Sequence, residues 1–263
     1  MKPVINTTQR TQKFLELNDY PFHTYVQFGK AKKRKKRPRV VVNPLSGLQN
    51  TRDKFVQQQL LLNAGLRVPQ FFGDDVNAVR EFLDNGGVVV AKRFKHSKGR
   101  GMKKFSSREE FENDIHTVIQ RYYFQEFQEM NREWRIHVSK FQDEAVVAYR
   151  KCFKADIVEQ YIDEVAPKPW FRNLVNCYFK LDGVEEDKKP WFDDMVLEAK
   201  RAIEVLGMDI AGIDMGENTK VDGGKFVIYE VNSACGMEEH TRSCYEKAID
   251  KIINVKAQAK RLV

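Results

Sequence analysis

The sequence predicts an α+β fold whose chemistry sits on antiparallel strands, and three observations carry that expectation. Apolar runs at 210–215 and 226–231 are separated by Gly216, Asn218, Asp222, Gly223 and Gly224, the punctuation of a hairpin loop. Residues 134–139 and 144–151 alternate in polarity around Gln142-Asp143, which predicts a second antiparallel pair turned at those two residues. Helical stretches are expected at 106–119 and at 190–206, the latter stopped by Gly207. A chain of 263 residues with 42% hydrophobic content suffices for one large core or two coupled subdomains.

The remaining elements follow in order. Residues 1–39 read as a polar, basic lead-in, and regular structure is expected to begin with a short buried strand at 39–43, ended by Pro44 and Gly47. Asn50-Thr51-Arg52-Asp53 offers helix caps, and Phe55, Leu60, Leu61 and Leu62 lie at near-helical spacing before Gly65. Residues 66–72 are extended around Pro69, and 75–85 form a helix capped by Asp74 or Asp75 and ended by Gly86-Gly87. Residues 88–93 form an apolar strand carrying one lysine, Lys92, followed by the glycine-bearing loop Ser97-Lys98-Gly99-Arg100-Gly101. A strand is expected at 122–127, irregular chain at 167–189 and a last helix near 243–255.

The net charge of +8 is local. Lys30, Lys32, Lys33, Arg34, Lys35, Lys36, Arg37 and Arg39 contribute eight positive charges, so the rest of the chain balances to zero. Such a block is either a solvated linker or an arm for an acidic or nucleic-acid partner. Without interleaved aromatics it does not support base-specific reading. No apolar run approaches the roughly 18 residues of a membrane helix. Residues 1–25 are polar with no charged-then-apolar secretory pattern, so a cytoplasmic location is expected, and Cys152, Cys177, Cys235 and Cys244 contain no CxxC pair, which points to reduced thiols and no zinc site.

Asp214 and Glu230 stand inside the two apolar runs, where an unpaired charge is costly to desolvate. With the Asn232 amide oxygen they form a hard-oxygen cluster of the kind that suits magnesium or manganese, leaving positions for water and phosphate. Lys92 ahead of Gly99 and Gly101 suits a nucleotide triphosphate, because the lysine neutralises phosphate and glycines let backbone N–H groups approach it. In Glu133-Trp134-Arg135-Ile136-His137-Val138, Arg135 and His137 share a strand face opposite the apolar residues. A fixed guanidinium there can stabilise a phosphoryl group in transfer, and Arg150, at the end of the next strand, is expected to join it.

Asp53-Lys54 opening a helix, Lys92 before a glycine loop, Gln125-Glu126-Phe127 ending a strand, then Arg135, Arg150, Ala211-Gly212-Ile213-Asp214 and Glu230-Val231-Asn232-Ser233, in that order, resemble the ATP-grasp superfamily. Within it they resemble the carboxylate–amine ligases that add glutamate to ribosomal protein. The resemblance implies two α+β subdomains clasping ATP, here 40–124 and 125–263, behind a truncated basic segment at 1–39. It implies that Lys54, Lys92, Ser97, Gly99 and Gly101 contact phosphates, that Gln125, Glu126 and Phe127 read adenine through backbone groups, and that Glu133 faces the ribose. Asp214, Glu230 and Asn232 would hold magnesium, and Arg135 and Arg150 the transferred phosphate or acyl phosphate. The implied reaction joins a carboxylate to an amine, an amino acid and a peptide or protein among the candidates, and releases ADP and phosphate. The run Ser233-Ala234-Cys235-Gly236-Met237-Glu238 stands where that branch has a proline-glycine turn.

Two other readings compete. Lys180-Leu181-Asp182-Gly183 matches the KxDG motif of nucleotidyltransferases, although only 80 residues follow it. A non-catalytic ATP-binding module with a nucleic-acid-binding basic arm is the other.

Overall fold

Burial sorts the apolar side chains into three clusters, each built on one sheet. The computed structural model describes residues 1–8, 11–29, 38–94, 101–173, 175–181, 184–221 and 224–260. In chain order these form β1 (Val4–Thr7), β2 (Thr24–Phe28), β3 (Val40–Val42), α1 (Leu45–Arg52), α2 (Lys54–Asn63), β4 (Phe71–Gly73), α3 (Val76–Asp84), β5 (Val89–Arg93) and β6 (Lys103–Phe105). Then come α4 (Arg108–Val118), β7 (Tyr122–Glu126), β8 (Arg132–Ser139), β9 (Val147–Phe153), α5 (Ala155–Ile162), β10 (Cys177–Lys180), α6 (Val184–Asp187), α7 (Phe192–Leu206), β11 (Ile210–Asn218), β12 (Lys225–Asn232) and α8 (Glu239–Ala259).

The four-stranded sheet, ordered β4-β7-β5-β6, is antiparallel where its strands pair. Its core places Phe111 of α4 edge-on to Phe105 and Phe124, a favoured arrangement of ring quadrupoles. The helices start where caps stand: Asp75 accepts from the Asn77 and Ala78 amides, and Ser107 from the Glu110 amide, satisfying donors that have no intrahelical partner.

The five-stranded antiparallel sheet, ordered β10-β9-β8-β11-β12, packs one face on α7. α7 ends at Gly207 with φ 75°, a left-handed conformation that glycine adopts without steric cost. The same core takes in Leu48 of α1 and Leu61 of α2. The helices at the start of the expected 40–124 unit therefore pack with the later sheet, and the boundary expected after residue 124 falls inside β7.

Three expectations are corrected here. Residues 1–39 are more than a lead-in, since β2 pairs in parallel with β1 on one side and β3 on the other, and this sheet packs on α8. Their buried Leu15, Leu17, Tyr20, Val26 and Phe28 are spaced by no single period, so no local pattern announced them. The strand does end ahead of Pro44, as expected, but a helix follows at once where none was expected, with Pro44 at the cap of α1 and Gly47 inside it. A Cβ on Gly47 would come within 2.4 Å of the Gly207 carbonyl oxygen, so this glycine serves close backbone approach and not a break. Residues 167–189 contain β10, which pairs antiparallel with β9.

A polar clamp joins the first sheet to β11. The Asn43 side chain accepts from the Asp209 and Ile210 amides at 3.0 and 3.1 Å and donates to the Gln27 carbonyl at 3.1 Å. Asn43 has φ 58°, a region in which asparagine is enriched among non-glycine residues. No helix among the described residues is long and apolar enough to cross a membrane.

Candidate active site

The β8–β11–β12 register decides which side chains meet. Asp214 lies opposite Arg135 on one side and Glu230 on the other, and Gly212 opposite His137 and Asn232. Because strand side chains alternate between faces, Glu133, Arg135, His137, Asp214, Glu230 and Asn232 share one face, as their spacing in the sequence predicts. After Asp214 the pairing shifts from Glu230 to Ile228, so Tyr229 is the extra residue of a bulge, a device that re-aims side chains. The Tyr229 ring lies where a Cβ on Gly216 would stand, 2.5 Å from the tyrosine oxygen. Gly212 likewise leaves room for His137 and the Cys235 sulfur, 3.1 and 3.2 Å from a Cβ built there.

Arg135 donates Nε and Nη2 to the two Asp214 oxygens at 2.6 and 2.8 Å, a bidentate pair of the strong kind. Lys151 Nζ lies 3.2 Å from Asp214 Oδ2 and also pairs with Glu133. Asn232 Nδ2 donates to Asp214 Oδ2 at 3.3 Å. Burial alone would raise the Asp214 carboxyl, but Arg135 and then Lys151 more than offset it and hold it well below the usual carboxylate range. Burial alone would lower Arg135 and Lys151, but Asp214 raises the first, and Asp214 with Glu133 raises the second. Arg135 also stacks 4.9 Å from the Phe179 ring centroid.

Glu230 pairs with Lys54 at 2.7 Å, and Lys54, against the effect of burial, lowers its carboxyl. Lys54 and Glu230 line a small cavity with Gln57, Gln58, Tyr229 and, from the four-stranded sheet, Lys92 and Tyr123. Burial pushes the Lys92 ammonium down to about 8, with Glu230 opposing the shift. A separate cleft of about 740 Å³ lies by α7 and the start of β9, lined by Glu144, Val147, Lys188 and His240 among others; it contains none of the residues just named.

Arg150 is not brought to this face. It lies opposite Trp134 and pairs with Asp187 at 2.6 Å. A two-residue turn on Gln142-Asp143 would set Arg135 opposite Arg150, whereas the observed partner is Tyr149. A shift of one residue sends every side chain of a strand to the other face, so Lys151, missed by sequence reasoning, takes the place expected of Arg150. Lys180 shares the Arg150 face and lies 3.6 Å from Asp187, away from the carboxylate cluster, while Asp182 and Gly183 lie outside the described residues.

Gln125 is buried on β7. The Glu126 and Phe127 amides already donate to the Gln70 and Val88 carbonyls at 2.8 and 2.7 Å, so these two N–H groups are spoken for. Lys104 sits over the Phe127 ring. Ser97, Gly99 and the basic residues 30–37 lie outside the described residues; Gly101, with φ 72°, lies against Arg93. His137 is buried beside Tyr245 and Cys235, and burial, then Arg135, push it down to about 3, so it is neutral at pH 7. All four cysteines are free.

Solved structures share this fold. The ATP-grasp ligase PsnB, complexed with a minimal precursor, Mg and ADP, matches over 81% of this chain and 62% of its own at 17% identity and a TM-score of 0.55. The D-alanine–D-alanine ligase of Bacillus anthracis matches over 84% of this chain and 72% of its own, with 14% identity and a TM-score of 0.57. The protein has the ATP-grasp fold. Biotin carboxylase of Campylobacter jejuni, solved with a β,γ-ATP complex, also carries it, with a TM-score of 0.59, 13% identity and coverage of 82% of this chain and 48% of that one. At these identities the likeness is one of fold. No family model matches the sequence, and no curated protein matches it. The chain spans 62% of the length of the PsnB chain. Lys92 and Tyr123 of the four-stranded sheet and Tyr229 and Glu230 of β12 line one cavity.

Proposed function

We propose that this protein is an ATP-dependent carboxylate–amine ligase. ATP phosphorylates a substrate carboxylate, an amine displaces phosphate from the acyl phosphate, and an amide, ADP and phosphate result. The observation that carries this reading is the convergence of Lys54, Lys92, Arg135 and Lys151 with Glu133, Asp214 and Glu230 at the junction of two sheets. PsnB and D-alanine–D-alanine ligase, whose fold it shares, are ligases by name.

The donor set fits magnesium. Asp214, Glu230 and Asn232 present oxygens on one face, with Asp214 directly across from Glu230. No group of three or more His, Cys, Asp or Glu among the described residues is arranged to hold a metal; magnesium needs only one or two carboxylates and keeps its other positions for water and phosphate. Bound there, magnesium would neutralise charge on the phosphates. The chain's own part is positioning and charge stabilisation: Lys54 and Lys92 hold phosphate oxygens, and Arg135 with Lys151 holds the transferred group. Ser97, Gly99 and Gly101 belong to the loop assigned to the phosphates, Glu133 to the ribose, and the Gln125–Phe127 segment to adenine through groups other than its two engaged amides. Free cysteines and the need for ATP support a cytoplasmic setting. The acidic or nucleic-acid partner of residues 30–39 rests on their charge alone.

Incubation with ATP, magnesium, amino acids and cell extract, followed by mass spectrometry, is expected to yield ADP, phosphate and a product whose mass is that of the carboxylate and amine substrates together less one water. Glu230→Gln should abolish that turnover; unchanged turnover, or AMP carried on Lys180, would overturn the reading.

A further inference from the structure

Building on the reading of Glu230 and Asn232 as magnesium ligands, we infer that Gln57 is the positioning residue of the metal site. β12 is an edge strand, and the outward backbone groups of an edge lack a strand partner. α2 supplies partners from its side chains. Gln57 Nε2 donates to the Val231 carbonyl at 2.8 Å, and its Oε1 accepts from the Val231 amide at 2.8 Å. One carboxamide thus closes both backbone groups of the residue that lies between the two ligands. A primary amide holds a donor and an acceptor on one plane, as a peptide unit does, which is why it can stand in for a missing strand.

Gln57 is itself held. It is fully buried, and Nε2 also donates to the Thr51 carbonyl in α1 at 3.0 Å. Val231 buries its side chain in the main core and pairs with Ile213, so core, strand and carboxamide constrain it together. The side chains on either side of it, Glu230 and Asn232, then project from one face at a set spacing. Lys54, which donates to the same carbonyl at 2.8 Å while pairing with Glu230, ties the clamp to the phosphate-binding cations.

Asn50 provides an internal control, because its carboxamide makes the same kind of contact away from the site, donating to the Leu206 carbonyl at 3.3 Å. Mn²⁺ binding to the full chain, followed by electron paramagnetic resonance with and without ADP, tests the assignment. Gln57→Met should weaken Mn²⁺ by about tenfold or more, the usual effect of removing a group that orients a ligand, while Asn50→Met stays within about twofold of the wild type. Equal weakening by both variants, or none by Gln57→Met, would overturn the inference. Should Gln57→Met not fold, amide exchange of the wild-type chain decides: magnesium with ADP should slow exchange at Val231, and an unchanged rate would overturn it. A wild type that binds no Mn²⁺, or whose binding survives Glu230→Gln, would instead remove the metal reading itself.

Discussion

The two faces of the five-stranded sheet are built from the same strands and do opposite things. One carries Trp134, Ile136, Ile213 and Met215, all fully buried against α7. The other carries Glu133, Arg135, Lys151, Asp214 and Glu230, whose charges are paired with one another or with Lys54. Apolar burial stabilises at roughly 25 cal/mol per Å² whatever the neighbours' orientation, whereas a buried charge is tolerable only with its partners in place. The first face can therefore absorb substitution by repacking, and the second cannot. Charge at the margin of the apolar face behaves differently again, since the Arg150–Asp187 pair is partly exposed.

The largest effect expected from breaking this contrast is on stability. Asp214→Asn leaves Arg135 and Lys151 buried together without their shared counter-charge, and a loss of about 3–5 kcal/mol is expected in urea unfolding. Asp187→Asn should cost about 1 kcal/mol or less. A smaller loss for Asp214→Asn than for Asp187→Asn would show that the two regions do not differ as described. Because the folded Asp214 carboxyl is depressed, its contribution is fully present above the ordinary carboxylate value of about 3.9 and fades as pH falls toward the folded value.

Next in size is the difference between two arginines. Arg135→Met should lower turnover by about 10²–10³-fold, the effect of removing a preorganised charge from a transition state. Arg150→Met, on the far face, should change it by less than about threefold. Comparable losses in ADP release for both would place Arg150 at the site after all.

The smallest expected effect sharpens the Lys92 side of the cavity. With its ammonium at about 8 in the free protein, Lys92 is charged below that pH and loses its charge above it. Nucleotide affinity should fall as pH rises past 8, by up to about tenfold per unit, because binding then requires uptake of a proton. Calorimetry across pH 7–9.5 would measure this, and Lys92→Arg, charged throughout, should flatten the profile.

Much of the site was legible because it is written in short-range spacing. A period of two placed Arg135 and His137 on one face, glycine and aspartate placed the hairpin, and the cross-strand meeting of Asp214 and Glu230 followed from those alone. Gly207 as a helix stop, Asp75 as a cap and the lone lysine of β5 were equally local. Arg150 was misplaced because a turn of uncertain length leaves the register open by one residue, and one residue changes the face. Gln57 and the paired strands at 4–7 and 24–28 left no pattern, since their partners lie far along the chain.

By itself, then, the sequence determined which strands alternate, where they turn and which charges each could offer, because those depend on backbone geometry repeated over a few residues. Only the tertiary structure decided that Lys151 and not Arg150 meets Asp214, that residues 1–39 add a sheet packed on α8, and that a glutamine of α2 closes the edge beside Glu230. Register, long-range pairing and the covering of an edge are set by which buried groups find partners, a balance struck by the whole chain at once.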